Sequence, residues 1–240
     1  MKSASSVAKI IHTNMIRFTL IQPKKLVSPF IQFTRYLVLS LFYLPIKKIE
    51  GRENLPKSGP FLIASNHINR LDAYFLAPAI VLYTSRMVYF IAKIQPWGFF
   101  WEKVLSDLWA GCIPYDKNNK SKCLEMALQR LQKGEIVGFF PEGRSNKNNT
   151  LLKGKTGCAR LALWAKVPVI PVGFYDRPEE KRRAIIFNAF FKPKHIKIKI
   201  GRPLYFYEYY NKKIFKELLD EITKKIMLEI SQLCGKPYPY

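Results

Sequence analysis

Short apolar runs alternate with amphipathic stretches along the chain from Phe61 onwards. The runs are rich in β-branched and aromatic residues, and they predict strands at 61–65, 87–92, 135–140, 167–174, 184–187 and 196–200. Between them, leucine and alanine recur at helical spacing over 119–133 and 155–166, and a longer stripe at 214–233 predicts a helix that closes the core. Such alternation predicts an α/β fold with a mixed, largely parallel central sheet flanked by helices.

The first 49 residues differ in character from the remainder, because they contain several lysines and arginines and no acidic residue. The apolar run at 36–46, extended back to Phe30, is shorter than the roughly 20 residues that span a bilayer. Its flanking cations and aromatics predict a helix lying on an anionic membrane. We therefore expect a membrane-associating helical segment, 1–49, and one globular domain, 50–240. A helix docked on the core and an N-terminal transit peptide are the alternatives.

Composition and charge narrow the classes of function. The chain has 240 residues, 48% of them hydrophobic, which excludes a disordered protein. Lysine and arginine number 40 against 17 acidic residues, a formal net charge of +23. This excess favours an anionic partner such as a lipid surface, a phosphorylated substrate or nucleic acid. Because the cations are spread along the chain and nucleic-acid motifs are absent, no nucleic acid is expected.

The cysteines and metal-binding residue types indicate neither a disulfide framework nor a metal site. The chain has 4 cysteines, without paired spacing, and 3 histidines, none of them at zinc-finger spacing. We expect a reducing compartment and no structural zinc site.

A histidine and an aspartate follow the first predicted strand of the domain. His67 and Asp72 can meet if His67 lies in the turn after the strand and Asp72 opens the next helix. The carboxylate would then hold the imidazole in one tautomer, as a general base for an alcohol requires. An ordinary loop histidine with a capping aspartate is the alternative interpretation.

A second polar cluster follows the predicted strand 135–140, at another carboxyl end where α/β proteins place ligands. Arg144 offers a planar set of donors that matches phosphate, and Glu142 can accept from a substrate hydroxyl and hold that arginine. Lys153 and Lys155 add cations before a helix. A glycine turn with a surface ion pair is the alternative.

Taken together, these motifs resemble the four ordered blocks of the glycerolipid acyltransferase family, whose best-known members are the 1-acyl-glycerol-3-phosphate acyltransferases. The matching blocks are N-H-x-x-x-x-D at 66–72, G-C-I-P-Y-D-K at 111–117, F-P-E-G-R-S at 140–145 and V-P-V-I-P-V at 167–172. Their order and spacing are compatible with that family over residues 50–205.

The resemblance implies acyl transfer from acyl-CoA or acyl-carrier protein to the free hydroxyl of 1-acyl-glycerol-3-phosphate (lysophosphatidic acid), giving phosphatidic acid. It implies no covalent acyl-enzyme, no metal and no cofactor beyond the donor, with His67 as general base and Asp72 as its orienting partner. By the same likeness, the substrate-binding residues would be Gly111, Ile113, Lys117, Glu142, Gly143, Arg144, Ser145 and Pro171. The enzyme would associate with the cytoplasmic face of an anionic membrane.

Two departures from the family pattern concern the acceptor. Lys117 stands where arginine is usual, so the bidentate phosphate geometry is lost. The third block lacks a residue between Gly143 and Arg144. Another lysolipid acceptor is therefore the alternative within the family, and a non-catalytic basic protein that binds membranes or nucleic acid is the alternative outside it. The aromatic run 97–101 suits either a membrane interface or a core.

Overall fold

A computed structural model describes residues 29–69, 71–92, 111–175 and 195–240. Within these ranges the helices are α1 (Pro29–Tyr43), α2 (Asp72–Thr84), α3 (Lys120–Gln132), α4 (Gly157–Ala165) and α5 (Lys216–Cys234). The strands are β1 (Ile46–Glu50), β2 (Phe61–Ser65), β3 (Val88–Ala92), β4 (Cys112–Pro114), β5 (Ile136–Phe139), β6 (Val169–Tyr175) and β7 (Ile196–Ile200). Single 3-10 turns lie at Arg52–Asn54 and Tyr207–Tyr209.

The strands of the described residues form one seven-stranded sheet in the order β1-β7-β6-β2-β5-β3-β4. Neighbouring strands run parallel, except that β6 and β7 are antiparallel. The predicted mixed, largely parallel sheet with flanking helices is thus confirmed. Strands β2 and β5 are neighbours with Ala64 opposite Phe139, so the loops that follow these strands start side by side at one edge of the sheet.

Each face of the sheet has its own apolar core. On β2, Leu62 and Ala64 belong to the core covered by α3, α4 and α5. Phe61 and Ile63 belong to the core covered by α2, to which α1 also contributes. All five residues of β2 are buried, as expected for a central strand covered by helices on both faces. Because both faces of the sheet are covered, the polar residues of the loops reach solvent at the edge where the strands end.

The predicted elements agree with the structure wherever it describes them. Five of the predicted strands are present, with ends shifted by at most two residues, and the predicted helices 119–133 and 155–166 correspond to α3 and α4. Helix α5 begins at Lys216 because Phe215 is extended and half exposed. The predicted strand 184–187 and the aromatic run 97–101 lie outside the described residues.

The N-terminal helix has one packed side and one exposed side. Tyr36 is buried, and Phe42 stacks on Tyr74 of α2 with 5.2 Å between ring centroids. The opposite side carries an exposed apolar stripe that continues one residue past the helix, made of Phe33, Leu37, Leu41 and Leu44. Helix α1 is therefore docked on the domain through one side, and the expectation that it also lies on a membrane remains a prediction. No helix among the described residues is long and apolar enough to cross a bilayer.

Strand β1 was not predicted from the sequence, and it crosses the predicted boundary between residues 49 and 50. Ile46 lies opposite Ile196 and Glu50 opposite Lys199, so β1 extends the sheet beyond β7. Lys47 and its neighbour are exposed because β1 is an edge strand. Residues 46–49 thus take part in the sheet of the globular domain.

The backbone of helix α5 lies close to the sheet at Gly173 of β6. A Cβ atom at this position would lie 2.6 Å from the main-chain nitrogen of Cys234 and 2.6 Å from the carbonyl carbon of Leu233. We expect Gly173→Ala to lower the free energy of unfolding by about 1–3 kcal/mol, because the helix backbone must move away. Thermal unfolding measures this change. The exposed α5 substitution Lys224→Ala should shift stability by less than about 0.5 kcal/mol, and equal shifts would contradict the close approach.

Candidate active site

The loop between β2 and α2 carries the predicted histidine and aspartate. His67 follows β2 by two residues, and Asp72 is the first residue of α2. The His67 Nδ1 and Asp72 Oδ2 atoms are 3.0 Å apart. The structure therefore confirms that this pair meets in the turn between the strand and the helix.

The Asp72 carboxylate also shapes the loop that holds its partner. Its side chain is 0% exposed, and Oδ2 accepts the main-chain N–H groups of Ile68 at 2.6 Å and Asn69 at 2.7 Å. A buried carboxylate needs such donors to offset its lost hydration. The loop consequently curls over the first turn of α2 and places His67 at the surface of the sheet edge.

The imidazole of His67 is held in a slot with one side open. Its ring stacks on Phe140 with centroids 4.3 Å apart and 22° between planes, and its side chain keeps 17% exposure. An ionised carboxylate can only accept a hydrogen bond, so its contact with Nδ1 assigns the ring hydrogen to Nδ1 and leaves the lone pair on Nε2. This is the geometry required of a general base.

The loop after β5 is bonded to the loop that carries His67. Glu142 is 3% exposed, and its Oε1 accepts the main-chain N–H of His67 at 2.9 Å. The main-chain N–H of Asn146 donates to the His67 carbonyl at 2.6 Å. The predicted ion pair between Glu142 and Arg144 is absent from the described contacts, because the carboxylate points inward while Arg144 is exposed.

Exposed cations surround the turn that follows Glu142. Gly143 adopts φ +71°, and the side chain of Lys155 lies across it, since a Cβ on Gly143 would lie 2.3 Å from Lys155 Nζ. Arg144 and Ser145 are exposed in the same turn. Lys117 is exposed in the loop after β4, a strand parallel to β3. Four of the predicted site residues thus lie exposed in loops that begin at the carboxyl ends of strands.

Comparison with known proteins identifies the family. The profile of the acyltransferase family matches residues 47–175, more than half of the chain. The chain belongs to the acyltransferase family.

Two curated proteins similar to this acyltransferase carry the same description. The chain is 28% identical over 195 residues to the 1-acyl-sn-glycerol-3-phosphate acyltransferase of Bacillus subtilis, a match that covers 79% of this chain and 88% of that protein. It is 34% identical over 153 residues to a chloroplastic 1-acyl-sn-glycerol-3-phosphate acyltransferase of Arabidopsis thaliana, covering 60% of this chain and 40% of the plant protein.

A solved structure supports the fold of this acyltransferase. The crystal structure of the 1-acyl-sn-glycerophosphate acyltransferase PlsC from Thermotoga maritima matches with a TM-score of 0.55. The match covers 95% of this chain and 91% of that chain at 18% sequence identity. At this identity the likeness establishes the architecture alone.

Three residues that the resemblance proposed as substrate ligands lie in the interior of the acyltransferase. Ile113 is 1% exposed within a core cluster. Gly111 precedes β4, where its carbonyl accepts the Phe90 N–H, and Pro171 is buried in β6 beside Gly201. All three residues are buried. Of the predicted residues in the second block, Lys117 alone is exposed.

Several polar and aromatic neighbours of the site were not among the predicted site residues. Asn66 exchanges two hydrogen bonds with the main chain of Phe174, at 2.8 and 3.2 Å, and so joins the end of β2 to β6. Asn146 and Phe140 contact His67 from the loop after β5. Asn66 and Phe140 lie within the recognised blocks, so the sequence motifs could have identified them. Asn146 directly follows the third block and is not part of the motif.

No group of residues in the described parts of the acyltransferase could hold a metal ion. The expectation that catalysis uses no metal remains a prediction.

The four cysteines of the acyltransferase are all free thiols. Burial raises the pKa of Cys158 to about 12 and that of Cys123 to about 11. Burial also raises the pKa of Cys112 and Cys234 above the ordinary thiol value. Because the thiolate is the nucleophile, these groups are poorly reactive at neutral pH.

We therefore expect iodoacetamide at pH 7.5 to leave the folded enzyme unalkylated and fully active. Raising the pH toward the thiol pKa values increases the thiolate fraction, so alkylation should accelerate with pH. Mass spectrometry of the intact protein counts the modified thiols, and the unfolded protein, in which all four should react, is the control. Rapid loss of activity with one alkylated cysteine would contradict the unreactive state.

Proposed function

We propose that this acyltransferase moves a fatty acyl group from acyl-CoA or acyl-carrier protein to the free hydroxyl of 1-acyl-glycerol-3-phosphate, giving phosphatidic acid. The observation that carries the proposal is the His67–Asp72 pair, whose imidazole opens onto a sheet edge with exposed cations nearby. The names of the relatives support the same substrate. The match to 88% of the Bacillus subtilis protein includes most of that enzyme.

The geometry supports a direct transfer without an acyl-enzyme. His67 Nε2 takes the proton of the acceptor hydroxyl as its oxygen attacks the thioester carbonyl carbon. Asp72 accepts a hydrogen bond from Nδ1–H and stabilises the imidazolium that forms. The tetrahedral intermediate collapses with cleavage of the carbon–sulfur bond, and the proton on Nε2 passes to the leaving thiolate. Because a thioester is already activated, the protein has to supply a positioned base and stabilisation of the developing oxyanion.

In this proposal, the exposed cations in and beside the turn 143–145 bind the phosphate of the acceptor. Arg144 has no ion-pair partner among the described residues, so its guanidinium is available for a phosphate monoester. Lys155, lying across Gly143, adds a second positive charge. A guanidinium and an ammonium that share one turn suit a dianionic headgroup. Competition with an acceptor that lacks the phosphate monoester distinguishes lysophosphatidic acid from another lysolipid as the substrate.

The direct test is release of CoA from acyl-CoA, with and without lysophosphatidic acid, in mixed anionic micelles. We expect release that depends on the acceptor, and His67→Ala should lower kcat by about 10²–10⁴-fold because the base is lost. His195→Ala is the matched control, since the main-chain N–H of His195 donates to Pro45 at 2.9 Å and survives the substitution. Acyl-carrier protein replaces CoA as donor in a parallel assay. Absence of acceptor-dependent release with both donors would overturn the proposal.

Membrane association is the second part of the proposal, and the exposed apolar stripe of α1 supports it. Phe33 is 56% exposed and Leu37 50%. The C-terminal end of the stripe lies toward the catalytic edge, because α1 leads into β1. Strands β1 and β7 begin at the edge of the sheet where β6 ends. An interfacial helix of this kind brings a lipid acceptor close to His67. The free thiols are consistent with the cytoplasmic face, since reducing conditions preserve them.

Substitutions in the stripe test this placement. We expect Leu37→Ser with Leu41→Ser to lower the partition coefficient onto phosphatidylcholine vesicles containing phosphatidylglycerol by about tenfold or more, because apolar area no longer enters the lipid. Leu228→Ser is the matched control, as Leu228 is 41% exposed on α5, over the other face of the sheet. Vesicle sedimentation measures binding. An equal loss with the control variant would place the membrane contact elsewhere.

A further inference from the structure

We infer that Glu142 and Asn146 are positioning residues that fix the backbone of His67, and that neither is a ligand of the acceptor. The inference rests on the proposed function, because it concerns His67 as the base. It also departs from the expectation, drawn from the family resemblance, that Glu142 binds the glycerol phosphate.

The carboxylate of Glu142 is buried and accepts three hydrogen bonds from groups of the protein. Its Oε1 accepts the His67 N–H at 2.9 Å, and its Oε2 accepts the Leu152 N–H at 3.0 Å and the Asn146 side-chain amide at 2.8 Å. The residue is 3% exposed. Because the carboxylate is buried and its protein donors surround both oxygens, a substrate hydroxyl has little access to it, and displacing the His67 or Leu152 N–H would cost that donor its acceptor.

Asn146 completes the restraint from the other side of the peptide. Its main-chain N–H donates to the His67 carbonyl at 2.6 Å, and its side-chain amide donates to Glu142 and, at 2.8 Å, to the Thr150 carbonyl. Asn146 is 6% exposed. His67 is thereby held at both its N–H and its C=O by one loop.

These bonds act on catalysis through the position of the imidazole. The same loop supplies Phe140, which stacks on the ring, while Asp72 fixes Nδ1 from the opposite side. A small displacement of the His67 backbone would change both contacts together. Because a misplacement of about 1 Å can lower a rate by about 10²-fold, loosening this loop should slow the chemical step and leave acceptor binding intact.

Glu142→Gln is the first variant, because glutamine keeps the shape of the side chain but places an amide nitrogen opposite the N–H donors of Leu152 and Asn146. We expect kcat to fall by about 10–100-fold, while the acceptor KM and the Kd for lysophosphatidic acid change by less than about threefold. Arg144→Ala is the contrast, since loss of a phosphate ligand should raise KM and Kd. Asn149→Ala, exposed in the same loop, should leave all three constants unchanged.

Asn146→Ala is the second variant, and it decides the matter if Glu142→Gln does not fold. It removes the side-chain bonds to Glu142 and Thr150 but keeps the main-chain bond to His67, so kcat should fall by about 3–10-fold at constant Kd. Circular dichroism melting checks that each variant is folded during the assay. An increase of Kd in the Glu142→Gln or Asn146→Ala enzyme with kcat preserved would overturn the inference, as would unchanged kinetics.

The outcome is separable from failure of the proposed function. If the wild-type enzyme neither binds nor acylates lysophosphatidic acid, the proposed function is wrong. If the wild-type enzyme does both and these variants show only a binding defect, the proposed function stands and the positioning role is wrong.

Discussion

The buried carboxylate of Asp72 is the constraint on which the site depends. A fully buried charge is stable only where donors replace its lost water, and Asp72 finds two of them in the main chain of its own loop. To bring both N–H groups to one oxygen, the chain must turn back over the start of α2. That turn leaves His67 at the rim of the loop with its Nδ1 3.0 Å from the carboxylate. The interaction that stabilises the loop therefore also orients the base.

The sheet makes this arrangement rigid, because the strands that carry the loops are hydrogen-bonded neighbours. Strand β2 lies between β5 and β6, and each neighbour contributes to the position of the base. Strand β6 binds Asn66 through the main chain of Phe174. The loop after β5 contributes Glu142 and the ring of Phe140. His67 thus stands on the ends of three parallel strands, and its precision derives from the sheet.

The sequence predicted the parts of this architecture that local pattern determines. Strands β2, β3, β5, β6 and β7 and helices α3, α4 and α5 follow from apolar patterns, whereas β4, three residues long, was not predicted. The meeting of His67 with Asp72 follows from a strand end and a helix start separated by a short turn. The direction of Glu142 does not follow from spacing, because its neighbour Arg144 is an equally plausible partner in sequence and only the packing of two loops buries the carboxylate. Ile113 lies within a recognised block and yet faces the core, since a motif records position along the chain and not orientation. Strand β1 escaped prediction because its exposed lysines interrupt the apolar pattern of an edge strand.

Two carboxylates share the main-chain donors of the loop that carries the base, and this limits how the reaction can be stabilised. The N–H of His67 is bonded to Glu142, and those of the next two residues, Ile68 and Asn69, are bonded to Asp72. Three successive N–H groups in one turn form the kind of cradle that binds anions elsewhere, but here protein carboxylates occupy it. In the proposed transfer, these three N–H groups are therefore not available to the developing oxyanion of the thioester. The main-chain donors of this loop bind protein carboxylates instead, and in doing so they hold the base in place.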